Sequence, residues 1–148
     1  MKREDVTEKV LSKKRLARLT WAEVAERIGG ASPVLITAAL MGQMPLNAEQ
    51  AAVAAELFDL DEEETLILQE IPYRGSLPTA VPTDPLIYRF YELVSVYGTT
   101  WKELIQEEFG DGIMSAIDFE MDMEREPDPK GDRVKITMSG KFLSYKRF

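Results

Sequence analysis

The spacing of apolar residues changes along the chain, from a helical period in the first half to strict alternation near the end. In residues 1–70, apolar positions recur every three or four residues in five separate runs. Four of these runs follow a residue that typically caps a helix N-terminus, namely Thr20, Ser32, Asn47 and Asp61. Residues 1–70 are therefore predicted to form a bundle of five short helices.

Residues 71–84 show no helical period and contain three prolines, Pro72, Pro78 and Pro82. The segment is longer than a tight turn, so we predict a linker that follows the surface or wraps a neighbouring subunit. It separates the bundle from a C-terminal domain of residues 85–148.

The C-terminal domain is predicted to begin with a helix at Asp84 and Pro85, because an aspartate N-cap followed by proline is a typical helix start. After Gly98, the run Thr100-Trp-Lys-Glu103 matches a capping box, which predicts a second helix that ends at Gly110. The first helix is predicted to bury apolar residues at helical spacing: Leu86, Phe90, Leu93, Val94 and Tyr97.

Two strands are predicted after residue 115, where apolar and acidic residues alternate. The first strand presents Ile117, Phe119, Met121 and Met123 on one face, and Val134, Ile136 and Met138 alternate in a second strand before Gly140. An isolated two-stranded hairpin is marginally stable in water, so we expect it to pair with a second copy in an intertwined dimer. The predicted fold class is therefore mostly α, of the α+β type.

Composition limits the chemistry that this chain can perform. The 148 residues include no cysteine and no histidine, which excludes disulfides, thiolate nucleophiles and the commonest zinc ligands. No apolar run approaches the ~18 residues of a membrane span, and the N-terminus lacks a signal sequence, so a cytoplasmic protein without membrane contact is expected. Catalysis here would depend on carboxylates, hydroxyls, arginine, lysine or backbone amides.

Two groups of charged residues have more than one interpretation. Four carboxylates in the first strand suggest a divalent-metal site, but their alternation favours a solvated face, and no metal is predicted: Asp118, Glu120, Asp122 and Glu124. Arg89 and Glu92 lie three residues apart on one helix, a spacing that on its own favours a structural ion pair over a functional site.

Three segments change the interpretation of Arg89 and Glu92: IPYRGSLP, PTDPLIYRFYE and VYGTTWKELIQEEFGDGIMSAIDFEMD. They resemble the cyanase family, also called cyanate hydratase or cyanate lyase, most strongly over residues 71–122. In that family the catalytic groups are an arginine, a glutamate three residues later and a serine in the GDGI-x-SAI turn. The resemblance implies that Arg89, Glu92 and Ser115 are catalytic and that residues 85–148 form the catalytic and dimerisation domain.

The same resemblance implies a reaction in which cyanate condenses with bicarbonate, the adduct loses carbon dioxide, and carbamate decomposes to ammonia and carbon dioxide. No metal or organic cofactor is implied, since bicarbonate is a co-substrate. The implied assembly is a homodecamer, a pentamer of dimers with sites shared between subunits. Whether Leu143 closes the site, as its counterpart does, stays open.

Both substrates are monoanions, so their adduct is a dianion and charge repulsion is the main barrier. Arg89 would offer a permanently charged fork, and Ser115 a hydroxyl and a backbone amide from a glycine-rich turn. Glu92 either orients Arg89 as an ionised partner or is held protonated and moves a proton during decarboxylation.

A rival function is a non-catalytic binding module, because the five-helix bundle resembles the helix-turn-helix bundle of phage repressors. Residues 1–70 carry 8 Lys and Arg against 13 Asp and Glu, and the candidate recognition helix, Pro33 to Met41, has no basic residue. DNA binding depends on neutralised phosphates, so no nucleic-acid binding is predicted. Five basic residues on the first helix are interpreted as a solvated face: Lys9, Lys13, Lys14, Arg15 and Arg18.

Overall fold

A computed structural model describes residues 1–148 as six helices followed by two strands. The mostly helical α+β class predicted from the sequence is confirmed. None of the helices is both long and apolar enough to cross a membrane. The elements are α1 (Arg3–Leu16), α2 (Trp21–Ile28), α3 (Pro33–Leu40), α4 (Ala48–Phe58), α5 (Glu62–Ile67), α6 (Pro85–Phe109), β1 (Gly112–Glu126) and β2 (Arg133–Ser144).

The chain forms two compact units, and the β1–β2 hairpin is divided between them. The first unit contains Met1–Gly75 together with Met121–Thr137, which is the turn end of the hairpin. The second contains Ser76–Glu120 together with Met138–Phe148, which adds the open end of the hairpin to α6.

The predicted helix starts in the first unit are confirmed by their caps. The side chains of Thr20, Ser32, Asn47 and Asp61 each accept a hydrogen bond from the backbone amide three residues later. These bonds satisfy amides that have no partner within the helix. The five helices enclose a core whose largest fully buried side chains are Val6, Val10, Val24, Ile36, Leu40, Phe58 and Leu68.

Arg3 joins the ends of two helices in this bundle. Its guanidinium donates to the carbonyl oxygens of Ala39 at 3.0 Å, of Met44 at 2.9 Å and of Ile67. Carbonyls in the last turn of a helix lack an intrahelical donor, so one side chain supplies donors to the ends of both α3 and α5. Burial lowers the pKa of Arg3, and nearby Glu70 partly offsets this effect.

Arg3→Met is expected to destabilise the bundle by about 1–3 kcal/mol, because it removes three hydrogen bonds and leaves the carbonyl of Met44 without a donor while keeping a side chain of similar length. Urea unfolding at fixed protein concentration measures the change. Arg15→Met is the matched control, since Arg15 lies exposed on the same helix and its side chain makes no hydrogen bond. Equal stability of the two variants would show that Arg3 has no role in joining the helices.

In the second unit, α6 is one helix of 25 residues. It continues through Gly98 and Thr100, so the prediction of a second helix beginning at Thr100 is wrong. A glycine inside a helix costs about 1 kcal/mol, whereas ending one helix and starting another leaves several backbone groups without partners. The continuous helix is therefore the more stable choice.

The predicted buried face of α6 is also wrong for a single chain, since no residue of this helix is buried. Leu86 keeps 70% of its surface exposed, and Phe90, Leu93, Val94 and Tyr97 are exposed as well. In the whole second unit only Pro82 and Ser115 are buried. The apolar face exists, but this chain does not cover it.

The hairpin is a two-stranded sheet, as predicted, but its strands differ in length. β1 has 15 residues and β2 has 12, although Asp111 bonds to Tyr145 at one end and Glu126 pairs with Arg133 at the other. β1 must therefore hold extra residues in a bulge. β2 also continues through Gly140 to Ser144, so the predicted end of that strand before Gly140 is wrong.

Candidate functional site

Arg89 and Glu92 lie near the beginning of α6, where Asp84 caps the helix by accepting from the amides of Leu86 at 2.9 Å and Ile87 at 3.0 Å. Arg89 Nη1 lies 3.4 Å from Glu92 Oε2, and the two side chains are 62% and 52% exposed. An exposed pair at this spacing contributes about 0.5 kcal/mol or less to stability. A purely structural role for the pair therefore has little energetic basis.

Most of the Arg89 guanidinium is free within the chain. Its only hydrogen bond goes to Glu92, and its Cζ lies 5.7 Å from the centre of the Tyr88 ring. A guanidinium has five N–H donors in a planar fork that matches carboxylate-like oxygens. Arg89 is therefore held at one edge by Glu92 while its remaining donors stay available to an anion.

Ser115 occupies the bulge of β1 and is only 5% exposed. Its Oγ accepts from the amides of Ile117 at 3.0 Å and Asp118 at 2.9 Å. These two bonds occupy both lone pairs of the hydroxyl and leave its O–H free to donate. Ser115 is thus prepared as a donor to negative charge, a geometry that the sequence did not reveal.

This arrangement also corrects two predictions about β1. Ser115 lies inside the strand, not at its edge after a glycine-rich turn, because β1 already begins at Gly112. Alternation fails at Ile117, which is 98% exposed and whose amide, like that of Asp118, bonds to Ser115 Oγ.

The structure brings together only two of the three predicted site residues within one chain. Arg89 and Glu92 contact each other, whereas Ser115 makes no hydrogen bond to either of them. Leu143 lies on β2 with an exposed side chain, and its role in closing a site stays a prediction. A pocket of about 200 Å³ contains none of these residues and is lined by Leu77, Pro78, Thr79, Pro82, Thr83, Asp84 and Ile87.

No group of three or more histidine, cysteine, aspartate or glutamate side chains is placed to hold a metal ion. The four carboxylates that alternate along β1 are spread along an exposed strand. That the reaction needs no cofactor remains a prediction from the sequence.

Basic residues favour DNA binding, but three of the five basic residues on or just after α1 have partners within the bundle. Lys9 bonds to Glu64 at 2.5 Å, which raises the pKa of Lys9, and Lys13 bonds to Asp59 at 2.8 Å, which lowers the pKa of Asp59. Lys14 lies 4.6 Å from the centre of the Trp21 ring. Phosphates would have to compete with these partners.

The N-terminus of α3, the candidate recognition helix, is contacted by another part of the same chain. Ser32, the cap of α3, accepts from the amide of Leu35 and donates to the carbonyl oxygen of Met121 on β1 at 3.2 Å. DNA-reading helices present their N-terminal residues to the base edges. A strand of the hairpin contacts that end of α3, which disfavours the rival function.

Together, these features define an α+β protein with an N-terminal five-helix bundle and a C-terminal unit that carries Arg89, Glu92 and Ser115. Family models match both parts: the cyanate hydratase N-terminal domain over residues 3–72 and the cyanate lyase C-terminal domain over residues 79–147. The chain belongs to the cyanate hydratase family, an enzyme family of lyases.

Full-length relatives show the same similarity. The chain is 64% identical over 148 residues to a cyanate hydratase of Dechloromonas aromatica and 63% identical to one of Ralstonia pickettii, with both chains covered completely in each case. It is also similar to a solved cyanase from T. urticae, with a TM-score of 0.80 and 35% identity over 94% of this chain and 96% of that one.

Proposed function

We propose that this enzyme is a cyanate hydratase that decomposes cyanate in a bicarbonate-dependent reaction. The full-length match to proteins of that name carries the proposal. Bicarbonate adds to the carbon of cyanate, the adduct releases one carbon dioxide, and the remaining carbamate takes up protons and gives ammonia and a second carbon dioxide. Nitrogen, both carbons and all four oxygens of the substrates are thereby accounted for.

The proposed site acts mainly by stabilising charge. Two monoanions must approach each other to form a dianion, and preorganised donors lower that barrier more than they lower the energy of either substrate alone. The free donors of Arg89 suit the carboxylate end of the adduct, and the Ser115 O–H suits the oxygen where charge grows. Bicarbonate is itself the nucleophile, so no activated serine and no histidine base are required.

Glu92 has two proposed roles, and its contact with Arg89 is compatible with both. As an ionised partner it would hold the guanidinium in place, at the 3.4 Å separation observed in one chain. As a protonated group beside a bound dianion it would supply a proton when the adduct decomposes.

We further propose that the enzyme works as a homodecamer, a pentamer of dimers whose sites combine residues from different subunits. The exposed apolar face of α6 and the hairpin with no buried face support this proposal, because such surfaces are covered in stable assemblies. The lack of a hydrogen bond between Ser115 and Arg89 within one chain supports it as well. The cytoplasmic location expected from the sequence remains a prediction.

The decisive experiment is to measure ammonia release from cyanate with and without bicarbonate, in buffer depleted of carbon dioxide. Enzymatic release should require bicarbonate and yield two carbon dioxide molecules for each ammonia. Release at the same rate without bicarbonate would indicate simple hydrolysis. No release under either condition, from a correctly assembled protein, would overturn the proposed function and leave the non-catalytic module as the alternative.

Short dicarboxylates are expected to inhibit competitively against both substrates, because they imitate a small dianion between Arg89 and Ser115. Monocarboxylates of similar size should bind more weakly and compete with only one substrate or the other. Initial rates at varied cyanate and bicarbonate distinguish these patterns. Equal inhibition by both classes would argue against a site built for a dianion.

A further inference from the structure

Position 140 requires a glycine because there is no space for a side chain, and not because of its backbone conformation. It lies on β2, and its φ is not in the left-handed region that favours glycine. What the residue provides is space, since a Cβ at this position would collide with the carbonyl oxygen of Ser115 and lie 2.6 Å from Met114 Cγ. β2 therefore approaches the Ser115 backbone more closely than any residue with a side chain would allow.

This close approach occurs at the bulge that orients Ser115. The hydroxyl is fixed by the amides of Ile117 and Asp118, which turn inward to Ser115 Oγ. The carbonyl of Ser115 lies against Gly140 at the same point. Displacing that carbonyl rotates the peptide that follows Ser115. The two amides lie only a few bonds further along the chain, so the bulge and the hydroxyl move with this peptide.

We infer that Gly140 is a positioning residue for the Ser115 hydroxyl. Its missing side chain lets β2 hold the Ser115 carbonyl where the bulge forms, and the bulge in turn presents the O–H as a donor. The inference rests on the proposed function only for what the hydroxyl does in the reaction. Gly140 itself does not touch substrate.

Gly112 provides a matched control. It is also a strand glycine outside the left-handed region, and a Cβ there would collide with the carbonyl oxygen of Leu143 and lie 2.5 Å from Phe142 Cζ. Its crowding is comparable, but it involves none of the atoms of Ser115. Gly112→Ala therefore reports what crowding does to the hairpin in general.

The first test is hydrogen exchange in the assembled protein, followed in a peptide that contains the Ile117 and Asp118 amides. Gly140→Ala should accelerate exchange at these amides toward the rate in Ser115→Ala, which removes their acceptor outright. Gly112→Ala should leave them protected. Unchanged protection in Gly140→Ala, or loss of its assembly while Gly112→Ala assembles, would overturn the inference, because the role of Gly140 would then be absent or merely structural.

The second test is a double-mutant cycle on turnover. Gly140→Ala alone should lower kcat by as much as ~10²-fold, the effect of losing one preorganised donor. In a Ser115→Ala protein, the same change should lower kcat by less than about twofold, since the group it positions is already gone. Gly112→Ala should have the same effect in both backgrounds. Equal losses from Gly140→Ala in both backgrounds would overturn the inference.

These tests separate the inference from the proposed function. Absence of bicarbonate-dependent ammonia release by the unmodified protein refutes the proposed function, whatever Gly140 does. Hydrogen exchange measures the Ser115 bulge without reference to any reaction, so it decides the positioning role in either case.

Discussion

Arg89→Lys is expected to reduce turnover by ~10²-fold or more while the protein still assembles. Lysine keeps the positive charge but replaces a planar fork of donors with a single ammonium, so two oxygens of the adduct can no longer be held together. Steady-state ammonia release measures the loss, and light scattering measures the assembly. The exposed position of Arg89 predicts little change in stability.

Arg125→Lys is the matched control for this substitution. Arg125 also pairs with a carboxylate, that of Asp132 at 3.0 Å, but it lies at the turn end of the hairpin. It should retain both activity and assembly. If Arg89→Lys keeps substantial activity, the role assigned to Arg89 is wrong, and if it unfolds while Arg125→Lys does not, the structural ion-pair interpretation is the better one.

Local signals in the sequence were sufficient to predict where α2, α3, α4 and α5 begin. Each of these four starts depends on a short-range bond between a side chain and an amide three residues later, as with Thr20 and Glu23 or Asn47 and Gln50. Such a bond needs only neighbouring residues, so the sequence contains all the information that decides it.

The same reasoning failed at Thr100 because a capping motif is used only where the helix actually stops. Gly98 is the only feature that suggested a stop, and within the chain it is not required for close packing, since an added Cβ would meet nothing nearer than Val94 Cγ1 at 3.8 Å. Tyr97 and Trp101 also stack across this position, with ring centres 6.4 Å apart. Competition between continuing and restarting a helix depends on the whole element, which no four-residue motif describes.

The periodicity of the sequence could not predict what surrounds the residues of the candidate site. A helical period identifies which residues share an apolar face, but not which molecule covers it, so Phe90 and Leu93 are exposed in one chain. Likewise, alternation after residue 115 predicts a regular strand, whereas Ser115 captures two backbone amides and creates a bulge. Residue identities at the site came from family resemblance, and the geometry of the hydroxyl came only from the structure.

Arg89→Ala and Ser115→Ala are each expected to be nearly inactive alone and to recover activity when they are dissociated, mixed and reassembled. The reason is that no hydrogen bond joins Arg89 and Ser115 within one chain, and the proposed site takes them from different subunits. With one arginine and one serine per site, random reassembly at equal amounts leaves both groups intact in about a quarter of the sites. Ammonia release per subunit measures the recovery.

Three controls make this experiment decisive. Mixing without dissociation should recover nothing, which excludes residual activity of the parents. Reassembly of Arg89→Ala with the Arg89→Ala/Ser115→Ala double variant should also recover nothing, because no chain then supplies the arginine. Native mass spectrometry must show that the assemblies are mixed. If verified hybrids stay as inactive as their parents, Arg89 and Ser115 act within one chain, and the apolar face of α6 serves assembly without completing the site.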